Sequence, residues 1–173
     1  MRLRAAVAAA VLLLVAAYAI AVRQRGLSLL SHREEPAFTV EYDDELLEVR
    51  DGGLLTLAGE RKGVTVQLTV EPLELPEYEG ELTGLLPLYA EEHVDVPEDA
   101  RIVVDERARL GDEPGYEIAY ETATQRRTFV FGDGVLLELT RVRPATRDRG
   151  GGRKVELAAR DALRSLQLGL DRE

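Results

Sequence analysis

Eighteen consecutive apolar residues, Ala5 to Val22, follow Met1-Arg2-Leu3-Arg4, and the chain beyond them is more polar. A run of this length has three physical fates. As a helix rising about 1.5 Å per residue it extends roughly 27 Å, close to the hydrocarbon thickness of a bilayer. As a signal peptide it has a basic start, an apolar centre and small-x-small sites at Ala17-Tyr18-Ala19 and Ala19-Ile20-Ala21. As a core helix it would be buried in the domain. The run continues through both candidate sites and Arg23 and Arg25 follow directly, which favours an uncleaved single-span anchor. Nine of the eighteen residues are alanine, which weakens insertion. Bases flank the run on both sides, and the short first flank with its signal-like layout tips the balance toward an extracytoplasmic domain. The expectation is a single-pass protein of a bacterial cell membrane, with the membrane as a partner through residues 5–22, or a secreted protein if the segment is cleaved.

The remaining chain divides into a tether at 23–36, one α+β domain at 37–168 and a tail at 169–173. About 140 residues after Glu34 suffice for one core and are too few for two. The absence of cysteine excludes a lipobox, a disulfide framework, thiolate metal sites and a cysteine nucleophile. Charge is uneven. Residues 34–100 carry nineteen acids against three bases, a net of −16, whereas 101–173 carry thirteen against fourteen, a net of +1. The acidic half would repel phosphate backbones, so no nucleic-acid partner is expected there.

From Ala37 the pattern turns to period two. Phe38-Thr39-Val40-Glu41-Tyr42 predicts a strand, followed by short strands at 46–49 and 54–58, with a turn at Arg61-Lys62-Gly63. Val64, Val66, Leu68 and Val70 share one face of the clearest early strand. Thr83 is the expected N-cap of a helix running to His93, with Pro87 in its first turn. The second half predicts a meander of strands at 101–110, 116–120, 127–131 and 135–142, with Gly132-Asp133-Gly134 as a hairpin signal. Val155, Ala158, Ala159, Ala162, Leu163 and Leu166 form the apolar stripe of a helix over 155–168, with Gly169 as its C′ residue.

This order resembles the PsbP-like α/β/α sandwich shared by DcrB-like and LpqN-type lipoproteins. The likeness rests on the opening strand Phe38–Tyr42, on the turn-plus-strand Leu110-Gly111-Asp112-Glu113-Pro114-Gly115-Tyr116-Glu117-Ile118-Ala119-Tyr120, and on Gly134–Thr140 followed by a helix holding Leu163-Arg164-Ser165-Leu166. Asp43-Asp44 stands where that family carries Pro and Trp. The resemblance covers residues 36–168. It implies an antiparallel sheet flanked by helices and a binding or accessory role without catalysis, commonly outside the cytoplasm.

The residues themselves offer few reaction centres. His32 and His93 are isolated from each other, and no phosphate-binding loop, Gly-x-Ser-x-Gly or His-Glu-x-x-His is present. The acid clusters Asp43-Asp44-Glu45 and Glu91 to Asp99 lack the Asp-x-Asp-x-Asp-Gly order of a calcium loop, and a solvated acidic face explains them as well as weak calcium binding does. No catalytic residue, cofactor or metal ligand is assigned. The feature that stands out is basic: Arg141, Arg143, Arg147, Arg149, Arg153 and Lys154 surround Gly150-Gly151-Gly152. They form either a solvated connection or a contact for lipid phosphates or an acidic partner. The function expected is a membrane-anchored binding or scaffold domain with an unknown protein partner. A carboxylate-based, hydrolase-like enzyme and a protein self-associating through an edge of the meander remain as alternatives. An enzyme of that kind would bury two acids together in a concave pocket.

Overall fold

The computed structural model describes residues 27–34, 36–49, 53–76, 80–143 and 152–168. They form two antiparallel sheets. The larger has seven strands in the order β3 (Leu47–Val49), β4 (Leu55–Arg61), β5 (Val64–Pro72), β9 (Val135–Val142), β8 (Gln125–Phe131), β7 (Glu113–Glu121) and β6 (Arg101–Leu110). It is two meanders joined at its centre by the β5–β9 ladder, in which Leu68 lies opposite Leu139. The smaller sheet sets β2 (Phe38–Tyr42) between β1 (Ser28–His32) and β10 (Gln167–Leu168). Helix α1 (Leu82–His93) links β5 to β6, and helix α2 (Arg153–Ser165) follows β9.

Two turns show why glycine stands where it does. The β4–β5 hairpin places both Lys62 (φ 51°) and Gly63 (φ 75°) in the left-handed region, the pairing that matches strand twist in two-residue hairpins. The β8–β9 hairpin does likewise at Gly134 (φ 69°), closed by Gly132 N–H donating to Val135 O at 2.9 Å.

The two helices cover opposite faces of different halves of the large sheet. On one face Val64, Val66, Leu68, Val70, Leu137 and Leu139 pack beneath Val155, Ala158, Ala159 and Ala162 of α2, with Phe38 and Val40 of the small sheet closing the same core. On the other face Ile118, Tyr120, Phe129 and Phe131 pack beneath Leu86 and Ala90 of α1. Strand β8 therefore has no solvent-facing side over its last four residues: Thr128 and Val130 face α2, while Phe129 and Phe131 face α1, and all four are buried.

Several expectations need correction. Of the described residues 51% lie in strands and 20% in two helices, so the fold is mainly β with two sheets, and the α+β class with an α/β/α sandwich is not what forms. The cause is the supposed tether. Ser28–His32 pairs along the whole of β2, from Ser28 opposite Tyr42 to His32 opposite Phe38, and Gln167–Leu168 leaves the helix to pair on the other side. The opening strand thus belongs to a second sheet instead of the main one. Helix α1 begins one residue before Thr83, with Glu81 as N-cap and no side-chain cap, and Pro87 sits in its second turn instead of its first. The apolar run 5–22 and Gly169 lie outside the described residues. Among the described residues no helix is long and apolar enough to cross a membrane, so the expected single-pass membrane anchoring is not supported.

The outer meander edge, β6, bears Arg101, Asp105, Glu106, Arg107 and Arg109, with a bulge between Ile102 and Val104. Charge and bulging are devices that oppose edge-to-edge pairing.

Candidate binding site

Helix α2 organises the surface because its sequence gives it three faces. At 100° per residue Val155, Ala158, Ala159 and Ala162 point into the core. Lys154, Leu157, Asp161 and Ser165 then fall on one flank, and Glu156 and Arg160 on the other. Each flank borders a concavity.

The first flank meets the small sheet. Together they enclose a hollow of about 580 Å³ lined by Leu27, Glu41, Tyr42, Asp43, Asp44, Glu45, Lys154, Leu157, Ala158, Asp161, Ala162 and Ser165. The seam is fixed by Ser165, whose Oγ accepts from Glu41 N–H at 2.9 Å and lies 2.9 Å from Glu41 O and 2.8 Å from Ala162 O. This one hydroxyl continues the pairing of β2 beyond the end of β10. The β2–β3 turn supplies the rim: Asp43 Oδ1 accepts from Glu45 N–H at 3.0 Å, and Asp43 O accepts from Leu46 N–H at 3.0 Å. Glu45 is held by Arg61 Nη1 at 2.7 and 2.9 Å; Glu41, Asp43, Asp44 and Asp161 form no ion pair among the described residues. A hydrogen bond with Asp43, and then Asp43's charge, push the Asp44 carboxyl above its ordinary pKa. Leu27 (44% exposed) and Leu157 (51%) open onto the same hollow.

The second flank faces the charged row of the large sheet. Arg101, Glu121, Arg126 and Arg141 stand directly opposite one another across β6, β7, β8 and β9. Arg141 Nη2 donates to Glu121 at 2.9 Å and its Nη1 lies 3.8 Å from Glu156. Glu156 also takes two bonds from Arg143, at 2.9 and 2.8 Å. Burial, followed by the charges of Arg160 and Arg141, lowers the pKa of Arg126. Glu117, half-buried on this face, is pushed up by burial, with Arg126 opposing.

The basic segment expected from sequence is therefore divided. Arg141 and Arg143 are engaged with Glu121 and Glu156 beside the sheet, Arg153 and Lys154 are exposed at the start of α2, and Arg147 and Arg149 lie outside the described residues. Arg126, Arg160, Leu157 and Asp161 were not singled out by sequence. The helical spacing of α2 places three of them, but Arg126 needed the β8–β9 register.

A third concavity, about 590 Å³ and open, lies over Gln67, Thr69, Glu71, Glu138 and Thr140. It contains two acids, but they differ in state. Glu71 is exposed, whereas Glu138 Oε1 accepts from Arg127 at 2.9 and 2.6 Å and from Thr140 Oγ1 at 2.8 Å. Arg127 in turn lies 4.9 Å over the Phe129 ring. Among the described residues no three His, Asp or Glu side chains converge as a metal set.

On the opposite side of the domain, Tyr116 donates its phenol proton to Asp105. That bond, then burial and the charges of Asp105 and Glu91, push its pKa up to about 12. Because the folded pKa exceeds the ordinary value of about 10, the folded state holds this proton more tightly. The resulting stability is present below about pH 10 and is lost as pH rises toward about 12. Phenolate absorbance should reveal a late-titrating tyrosine, and Asp105→Asn should move it back down; a titration unaltered by that substitution would contradict the assignment.

No family model matches the chain, and no curated protein matches its sequence.

Proposed function

We propose that this chain is a binding or accessory domain without chemistry of its own, and that its working surface is the acidic hollow beside α2. The observation that carries this reading is the composition of that concavity. Two exposed leucines and Tyr42 lie among four carboxylates that form no ion pair among the described residues, with Lys154 as the one base in the lining. An apolar floor with a ring of one charge suits a partner segment that presents arginine or lysine beside an apolar side chain. Attraction of this kind sets encounter rate and register, while the leucines supply the area removed from water.

The test uses a peptide of alternating arginine and leucine, followed by amide NMR on the full chain. Shifts are expected at Leu27, Asp44, Leu157 and Asp161. The triple variant Asp43→Asn/Asp44→Asn/Asp161→Asn is expected to weaken binding about tenfold or more, since each lost charge pair contributes of the order of 0.5–1 kcal/mol. Glu91→Gln/Glu92→Gln/Glu98→Gln removes the same charge from an exposed region elsewhere and should change little. Equal weakening by both triples would reduce the effect to overall charge and refute the reading. Binding should also fade as pH drops through the carboxylate range, beginning with the Asp43–Asp44 pair, where the raised Asp44 takes up its proton early.

A further inference from the structure

The recess on the other flank of α2 is built from separate residues and stands independently of the hollow. It is lined by Val66, Arg126, Thr128, Leu139, Arg141, Glu156, Ala159 and Arg160, and its volume is about 20 Å³, room for one water-sized group. Arg141, one of the lining residues, carries a buried Nε that is the one buried side-chain polar atom among the described residues with no hydrogen-bond partner. A buried donor on a cationic group is strongly disfavoured when left unpaired, so this position favours an acceptor.

The surrounding charge says what kind of acceptor. Arg126, Arg141, Arg143 and Arg160 are four cations, and the carboxylates bound among them, Glu121 and Glu156, are two. Glu106 and Glu117 on this side are offset by Arg101 and Arg164. The two remaining positive charges lie in an acidic protein of net charge −10. Moreover Arg126 stands directly opposite Arg141 on the neighbouring strand, where like charges repel. A water could accept from Arg141 Nε but would neutralise none of this.

We propose that the recess binds a phosphate group, with one oxygen seated against Arg141 Nε and the others held at the mouth by Arg126 and Arg160. Three guanidiniums reach the recess from two strands and a helix. A tetrahedral anion offers oxygens in three directions, whereas a planar carboxylate offers two. The dianion of a phosphate monoester also matches the local surplus of charge. Because the recess has room for a single oxygen, the remainder of an ester would project into solvent. A phosphate ester and free phosphate share this chemistry.

The test is NMR of the Arg Nε–H resonances of the full chain, titrated at constant ionic strength with inorganic phosphate, glycerol phosphate and acetate. A saturable shift of Arg141 Nε–H is expected with both phosphates and not with acetate. Arg160→Gln, at an exposed position that leaves the fold intact, should weaken binding about tenfold, the worth of one charge-assisted hydrogen bond. Arg164→Gln on the same helix should leave it unchanged. Tighter binding of glycerol phosphate identifies an ester as the natural source and tighter binding of inorganic phosphate identifies the free ion; either sustains the proposal. An Arg141 Nε–H that phosphate does not move, an equal response to acetate, or equal weakening by Arg160→Gln and Arg164→Gln would overturn it and assign the recess to a buried water.

Discussion

Phe38→Ala is expected to lower the unfolding free energy by about 3–5 kcal/mol, the range for removing a fully buried aromatic ring. Phe38 is 0% exposed and belongs to the same core as Leu68, Leu137 and the inner face of α2. Its ring also stacks on His32 of β1, with centroids 5.1 Å apart. The loss has two parts: the apolar area returned to water, and a void that the surrounding elements can close only partly. Collapse would require β2 to move toward the sheet, but β2 is held on both sides by β1 and β10. Urea unfolding measures the effect as a fall in midpoint at constant slope. A change under about 1 kcal/mol, well below the buried-aromatic range, would mean that the small sheet is not cooperatively joined to the large one. In that case the hollow between them would not be a stable surface.

The second large effect is expected from adding one methyl group. In Gly59→Ala the new Cβ would stand 2.5 Å from Val155 Cγ2, 2.6 Å from Glu45 O and 3.0 Å from Leu46 Cδ2. Two of these are side-chain atoms that could shift at some expense. Glu45 O is backbone, in the turn that carries the acidic rim of the hollow, and cannot rotate away. Gly59 is therefore glycine because β4, the β2–β3 turn and the start of α2 converge there, and its backbone φ is not in the left-handed region. Overpacking of this kind typically costs 1–3 kcal/mol, and the backbone contact places Gly59→Ala at roughly 3 kcal/mol. Thermal unfolding reads it as a drop of several degrees, about 2–8 °C per kcal/mol for domains of this size range. The same variant should also weaken the arginine–leucine peptide, because the turn must give way. Native stability in Gly59→Ala would show that the three elements are less closely packed than their geometry indicates.

Much of the element pattern was legible in sequence. Strands 38–42, 101–110 and 135–142 stand where alternation placed them, and β5 differs only by extending to Pro72. Period-two spacing identifies which residues share a face, so the buried set Val64, Val66, Leu68 and Val70 could be named without a structure. The stripe of α2 was legible for the same reason, at helical period. Beyond the elements, legibility fell. Ser28–His32 has a weak pattern of its own and becomes a strand because Leu30 finds Val40 and His32 finds Phe38 across the sheet. Thr83 offered a better cap than Glu81 by residue type, yet the helix begins where packing of Leu82 against the second core allows it.

The candidate sites divide in the same way. The basic segment stood out in composition, but composition cannot tell a paired arginine from an unpaired one. Arg141 and Arg143 are paired because Glu121 and Glu156, 20 and 13 residues away in sequence, reach them. Arg126 joins them only through strand register.

The sequence by itself determined the local alternatives: which segments alternate, which glycines permit tight turns, and which side of α2 is apolar. These follow from neighbours within a few residues, whose geometry the backbone dictates. Only the tertiary structure decided that the opening strand forms a second sheet, that acids from the β2–β3 turn meet α2 in a hollow, and that three arginines from β8, β9 and α2 share one recess. Those outcomes depend on which distant segments pair, and pairing is settled by the burial of all faces together, with Phe38 and Val40 covered only when the small sheet closes over α2.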